Sequence, residues 1–69
     1  MDEIKIKDEW IKLEQVLKLS NLTQTGGHAK MVIQDGEVLL NGNIELKRGK
    51  KVFKGDIVEV KGLGEFKVV

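Results

Sequence analysis

Side chains that could act in catalysis are scarce in this sequence of 69 residues. His28 is the only histidine and cysteine is absent, so the chain can form neither a disulfide nor a thiolate zinc site. The 11 Asp and Glu residues are scattered through amphipathic segments, where they serve as solvent-facing partners of lysines. We therefore expect no catalytic residue, no metal site and no cofactor, and hence a protein that is not an enzyme.

Basic side chains, in contrast, are concentrated in one place. Residues 46–55, called the basic segment below, contain Lys47, Arg48, Lys50, Lys51 and Lys54 without an acidic residue, and so carry +5. Because the whole chain carries +1, the other 59 residues sum to −4. A local positive field attracts polyanions even on a nearly neutral protein. The basic segment thus predicts a nucleic-acid partner, and the alternative is a solvated loop that only aids solubility.

A second candidate site is the stretch Thr25-Gly26-Gly27-His28. Thr25 fits the N-cap of a helix, the two glycines allow close approach of another backbone, and the free amides and dipole of a helix start favour a phosphate group. The dipole disfavours the cationic form of His28, so this side chain suits a hydrogen-bond donor or a stacking surface better than a general acid. An ordinary capped turn is the alternative.

Apolar spacing predicts two short helices that position these candidate residues. The first spans about residues 13–19, and the second begins after Thr25 and ends before Gly36, which supplies a left-handed stop. A hairpin turn is expected at Asn41-Gly42. The apolar faces of the two helices consist of Leu13, Val16 and Leu17, and of Ala29, Val32 and Ile33.

Alternation of apolar and polar residues predicts strands over 3–7, 37–40, 56–61 and 65–69, with a short returning strand at Ile44 and Leu46. Residues 8–11 are interpreted as a connection, and the two terminal strands are expected to be neighbours. The predicted fold class is α+β, with two short N-terminal helices packed on a small, mainly antiparallel β-sheet. A chain of this length makes one domain, spanning 1–69.

Residues 29–42 carry a resemblance to the S4 RNA-binding domain, the alpha-L motif of ribosomal protein S4. The matching pattern is A-K-x-x-I-x-x-G-x-V-x-L-N-G, which runs in register from Ala29 to Gly42. The flanks extend the resemblance over about residues 11–60. The short length, the Gly26-Gly27 pair and the basic run over 47–51 are similar to the small stand-alone members of that family.

The resemblance implies that RNA binds a shallow cleft formed by the starts of the two helices and the adjoining loops. Lys12, Glu14 and Lys30 match charged positions of the family, whereas Gly26 stands where the family often has an arginine. Taken with the two candidate sites above, the predicted RNA-binding residues are Lys12, Thr25, Gly26, Gly27, His28, Lys30, Lys47, Arg48, Lys50 and Lys51.

The implied partner is structured RNA, either ribosomal RNA or transfer RNA, with a role at the ribosomal subunit in ribosome assembly or quality control. We expect no membrane partner, since no apolar stretch approaches the roughly 18 residues of a membrane span, and the absence of cysteine fits the reducing cytoplasm. A monomer is expected. Aromatic content is only 4%, so base stacking cannot be the main binding mode, although Trp10 and Phe53 leave open the stacking of a flipped-out base. The competing hypothesis is a protein-interaction module in which the sheet face or Trp10 contacts a partner and the lysines only maintain solubility.

Overall fold

The computed structural model describes residues 1–69 and contains two helices and seven short strands. The helices are α1 (Leu13–Leu19) and α2 (Gly26–Gln34). The strands are β1 (Asp2–Ile4), β2 (Trp10–Lys12), β3 (Val38–Leu40), β4 (Asn43–Ile44), β5 (Lys51–Phe53), β6 (Ile57–Val60) and β7 (Gly64–Val68). This architecture confirms the predicted α+β class. Neither helix is long and apolar enough to cross a membrane.

Five strands form a mixed sheet in the order β1-β7-β6-β3-β4, and β2 and β5 form a separate two-stranded sheet. All pairs are antiparallel except β1 with β7, which run parallel. The terminal strands are therefore neighbours, as the sequence predicted. Beyond β1, the Ile6 amide donates to the Val69 carbonyl at 2.9 Å, and the Val69 amide donates to the Ile4 carbonyl at 2.9 Å. Both ends of the chain are held by these bonds.

The core is formed by residues of the two helices and of both sheets, together with Ile6. Both predicted helical stripes are buried, and the only buried polar residue is Thr23, whose hydroxyl donates to the Leu17 carbonyl at 3.1 Å. The 13 buried apolar residues are Ile6, Leu13, Val16, Leu17, Ala29, Val32, Ile33, Val38, Val52, Val58, Val60, Phe66 and Val68. Because isolated helices this short are marginal in water, their stability depends on this packing.

Local signals for helix ends and turns operate as predicted. The Thr25 hydroxyl accepts a hydrogen bond from the His28 amide at 3.0 Å, which caps α2. After α2, Gly36 has φ +75°, the left-handed conformation expected of a helix stop. Asn41 and Gly42 have φ values of +51° and +87°, and their turn joins β3 to β4. Positive φ at both central residues is typical of a type I′ hairpin turn.

The smaller sheet was not predicted. The interpretation of residues 8–11 as a connection is wrong for residues 10 and 11, because Trp10–Lys12 forms β2, and no strand was predicted where Lys51–Phe53 forms β5 within the basic segment. The two strands pair with each other across a long sequence separation. Each has three residues, too few for alternation to be recognised, so neither strand is apparent until its partner is known. In addition, β1 ends at Ile4 rather than Lys7.

Candidate RNA interface

The basic segment lies across the start of α1. The amide of Leu13 donates to the Lys50 carbonyl at 2.9 Å, and the amide of Glu14 donates to the Arg48 carbonyl at 3.1 Å. These amides belong to the first turn of α1, which has no acceptors within the helix. Since these two amides are used internally, the exposed basic side chains are the main groups available to a ligand at this end of α1.

Strand pairing adds Lys12 to the same place. Lys12 is the N-cap residue of α1, makes no side-chain capping bond, and lies opposite Lys51 in the β2–β5 pair. Directly opposed residues of an antiparallel pair project to the same face, and like charges in this arrangement repel. We call the four exposed basic residues Lys12, Arg48, Lys50 and Lys51 the α1 cluster. A bound anion would relieve the repulsion within it.

A turn holds the remaining part of the basic segment. The Lys50 amide donates to the Lys47 carbonyl at 3.2 Å, and the Lys47 amide donates to Glu45 Oε2 at 3.2 Å. Lys47 is exposed and flanks the α1 cluster. The backbone that carries these charges is thus fixed at several points, although it lies mostly outside regular structure.

The start of α2 presents a different kind of surface. The Thr25 cap satisfies the His28 amide, while the amides of Gly26 and Gly27 have no acceptor in the chain. The Gln24 amide donates to His28 Nδ1 at 3.3 Å, so Nδ1 is the acceptor and Nε2 carries the ring proton. The half-buried His28 ring can therefore donate a hydrogen bond to a ligand.

The fold itself does not require a glycine at either position of the Gly26-Gly27 pair. A Cβ at Gly26 would approach only Lys18, at 3.7 Å or more, and a Cβ at Gly27 would lie 3.7 Å from Thr25 Oγ1. Both distances are ordinary contacts, and neither glycine has a positive φ. The missing side chains therefore leave room on the outside of the helix start, where a ligand backbone could approach the free amides.

Lys18 is a cationic residue that sequence reasoning did not assign to the site. Its Nζ atom lies 3.8 Å from the position that a Cβ at Gly26 would occupy. Lys18 is in the last turn of α1, and the packing of α1 against α2 brings its ammonium group to the start of α2. It thus supplies a cation beside the position where similar domains often have an arginine. No local pattern identifies this proximity.

The predicted site residues are arranged at two places rather than in one group. The α1 cluster surrounds the beginning of α1, whereas Thr25, Gly26, Gly27, His28 and Lys18 lie near its other end. The seven residues of α1 separate them by about 10 Å. Lys30 is exposed on α2, beyond its first turn. The structure contains no group of three or more His, Cys, Asp or Glu residues that could hold a metal ion.

Comparisons with known proteins agree on the family. The S4 domain profile matches residues 4–69. A protein from Bacillus subtilis (strain 168), described as probable ribosome maturation protein RlbA, is 46% identical over 66 residues, covering 96% of this chain and 93% of that protein.

A solved structure resembles the fold. The crystal structure of the 30S ribosomal protein S4e from Thermoplasma acidophilum matches with a TM-score of 0.62 at 23% identity. The match covers 81% of this chain but only 30% of the ribosomal protein, and at this identity it supports the fold alone. With the profile match over nearly its whole length and the close bacterial relative, the chain belongs to the S4 domain family.

Proposed function

We propose that this protein binds structured RNA without catalysing a reaction, and that its α1 cluster contacts the phosphate backbone. The observation that carries the proposal is the convergence of Lys12, Arg48, Lys50 and Lys51 at the start of α1, from two segments distant in sequence. Phosphate contacts by Lys and Arg supply much of the affinity of proteins for nucleic acids. Membership of the S4 domain family supports the same partner.

The arrangement favours a folded RNA over a flexible single strand. Hydrogen bonds from α1 and pairing with β2 fix the backbone from which the basic side chains project, so the spacing of their Cα atoms is set before binding. Basic side chains at fixed backbone positions suit phosphates whose positions are also fixed, as in an RNA helix or a compact loop. Single-strand binders instead depend on rows of aromatic side chains, of which this chain has few.

The start of α2 offers a second phosphate contact. Free amides at Gly26 and Gly27, the Lys18 ammonium group and the His28 ring donor all lie in this region. A helix N-terminus attracts anions through its amides and dipole. Lys47, which adjoins the α1 cluster, and Lys30, which is exposed on α2, add two more positive charges. In this proposal, two stretches of one RNA contact the two ends of α1 together.

The RNA is proposed to be ribosomal RNA, bound during assembly or quality control of a ribosomal subunit. The relative described as a ribosome maturation protein supports this role. Sedimentation of cell extracts through a sucrose gradient tests it, because the protein should migrate with ribosomal precursor particles. Migration with transfer RNA or only at the top of the gradient would contradict the ribosomal assignment while leaving RNA binding open to direct measurement.

RNA binding is tested by removing charge from the α1 cluster. The variant Arg48→Gln/Lys50→Gln/Lys51→Gln should bind a ribosomal RNA hairpin at least tenfold more weakly at low salt. The slope of log affinity against log salt concentration should become shallower by up to about three units, because each lost phosphate contact removes about one unit of slope or slightly less. Filter binding over a range of salt concentrations measures both quantities.

A matched control removes the same charge from elsewhere. Lys5, Lys61 and Lys67 are exposed and lie within or beside β1, β6 and β7 of the larger sheet. The variant Lys5→Gln/Lys61→Gln/Lys67→Gln should retain nearly the parental affinity. Equal losses in both variants would show that only net charge matters. If neither variant lost affinity, the basic segment would serve solubility, and the exposed Trp10 and Phe53 would favour a protein-interaction module.

A further inference from the structure

The outward face of the β2–β5 pair combines aromatic and cationic side chains. Trp10 lies opposite Phe53, Lys12 opposite Lys51, and Ile11 opposite Val52. Since side chains alternate between the faces of a strand, the first two pairs share one face and the third pair lies on the other. Because Val52 is fully buried, the face that carries Ile11 and Val52 is the one that contacts the core. We call the outward face, formed by Trp10, Lys12, Lys51 and Phe53, the aromatic ribbon.

No part of the chain fully covers the two aromatic rings. Trp10 retains 38% of its exposure and Phe53 retains 47%, whereas the third aromatic residue, Phe66, is 1% exposed in the core. Cross-strand neighbours have Cβ atoms about 5 Å apart, so two uncovered rings lie side by side on a rigid strand pair. Neither ring is needed in this position to fill the core.

The cations of the aromatic ribbon lie close to its rings. The Lys51 Nζ atom is 4.7 Å from the centroid of the Trp10 ring, within the range of a cation–π interaction. Lys12 and Lys51 also belong to the α1 cluster, so the ribbon is continuous with the surface proposed to contact phosphates. An aromatic plane beside a positive charge matches the two chemically different parts of a nucleotide, its flat base and its phosphate.

We infer that the aromatic ribbon binds an unpaired nucleotide of the RNA, with its base stacked on Trp10 or Phe53 and its phosphates beside Lys12 and Lys51. This inference rests on the proposed RNA binding and specifies the kind of RNA feature that is recognised. Charge complementarity favours this occupant over a protein, because the centres of protein interfaces are depleted of lysine, and two of the four ribbon residues are lysines. The base adds selectivity to a surface whose phosphate contacts provide affinity.

The single tryptophan of the chain makes a direct test possible, because fluorescence reports on Trp10 alone. The probes are three RNA duplexes of equal length. One is fully paired, one carries a single bulged adenosine, and one carries an abasic residue at the bulge. We expect the bulged adenosine to quench Trp10 fluorescence and to raise affinity on the order of tenfold or more over the abasic duplex, the range of one stacked base. The other two duplexes should bind with little quenching.

Variants separate stacking from folding. Phe53→Leu, Trp10→Leu or both should lower the affinity for the bulged-adenosine duplex, relative to the abasic duplex, on the order of tenfold. The affinities for the paired and abasic duplexes should stay the same. Leu63→Ala is the control, since Leu63 is 49% exposed in the turn between β6 and β7. Circular dichroism establishes whether each variant is folded. If Trp10→Leu is unstable, Phe53→Leu still provides the test, because it retains the Trp10 fluorescence signal.

The possible outcomes distinguish the two proposals. Equal binding of all three duplexes without selective quenching would overturn the stacking inference and leave phosphate-driven RNA binding in place. Failure to bind any of the three duplexes or the ribosomal RNA hairpin at low salt would overturn the proposed function, and the inference with it. Selective quenching in the parent protein, together with an unchanged preference for the bulged adenosine in both Trp10→Leu and Phe53→Leu, would show that the base lies near Trp10 without stacking on the ribbon, and would also refute the inference.

Discussion

Replacement of Val32 by aspartate tests the packing that holds the two helices together. Val32 is 5% exposed and lies on the buried stripe of α2, with Ala29 and Ile33. The backbone of Val32 also holds the residues that follow α2, because the Val32 carbonyl accepts a hydrogen bond from the Glu37 amide at 3.0 Å. The substitution therefore changes a side chain at a position where the surrounding backbone cannot move freely.

The loss of stability in Val32→Asp can be estimated from the burial of Val32 and from the lack of a polar partner for the new carboxylate. Loss of the valine side chain from the core costs about 1.5–3 kcal/mol. The carboxylate adds several kcal/mol, because Thr23 is the only polar residue in the interior and its hydroxyl is already bonded to the Leu17 carbonyl. A domain of this size rarely has more than about 3–5 kcal/mol of stability. The variant should therefore be largely unfolded at 25 °C.

Thermal unfolding followed by circular dichroism measures the effect, with two controls. Val32→Ala should remain folded and lose about 2 kcal/mol, since it removes volume without adding charge. Met31→Asp adds the same charge to the adjacent position of α2, where the side chain is 60% exposed, and should change stability by less than about 0.5 kcal/mol. A Val32→Asp protein that melts like the parent would refute the assignment of this helix face to the core.

Two further predictions concern backbone signals at the ends of α2. Gly36→Val should lower the free energy of unfolding, measured in urea, by more than about 1 kcal/mol, because φ of Gly36 is +75°. The loss would come from backbone strain rather than a clash, since an added Cβ would meet nothing closer than Ile44 at 3.9 Å. An unchanged stability would show that the loop relaxes without strain. Thr25→Ala should cost about 1 kcal/mol by removing the acceptor of the His28 amide, and Thr25→Ser should restore most of it. Equal stability of the alanine and serine variants would exclude a capping contribution.

Local chemistry in the sequence determined the helices and their limits. The stripe Ala29, Val32 and Ile33 predicted the buried face of α2, and Thr25 and Gly36 predicted its cap and its stop. These features depend on residues within a few positions of one another, so short-range spacing is sufficient to specify them. The Asn41-Gly42 turn belongs to the same class, because tolerance of positive φ is a property of the residues themselves.

Residue types also predicted which side chains are candidates for phosphate contacts, because charge segregation is visible in the linear sequence. Their grouping was not predictable, however. The register that places Lys12 opposite Lys51 joins segments far apart in the chain. The position of Lys18 beside Gly26 depends on how α1 packs against α2, which no residue near either position encodes by itself.

The residues of the aromatic ribbon are visible in the sequence, but their arrangement depends on the tertiary structure. The sequence shows a tryptophan near one lysine and a phenylalanine near another, and for three-residue strands it gives no basis for pairing them. Only the tertiary structure places Trp10 opposite Phe53 and Lys51 over the Trp10 ring. Pairing of β2 with β5 places Val52 in a core assembled from the whole chain, and burial is a cooperative property of that core rather than of either strand.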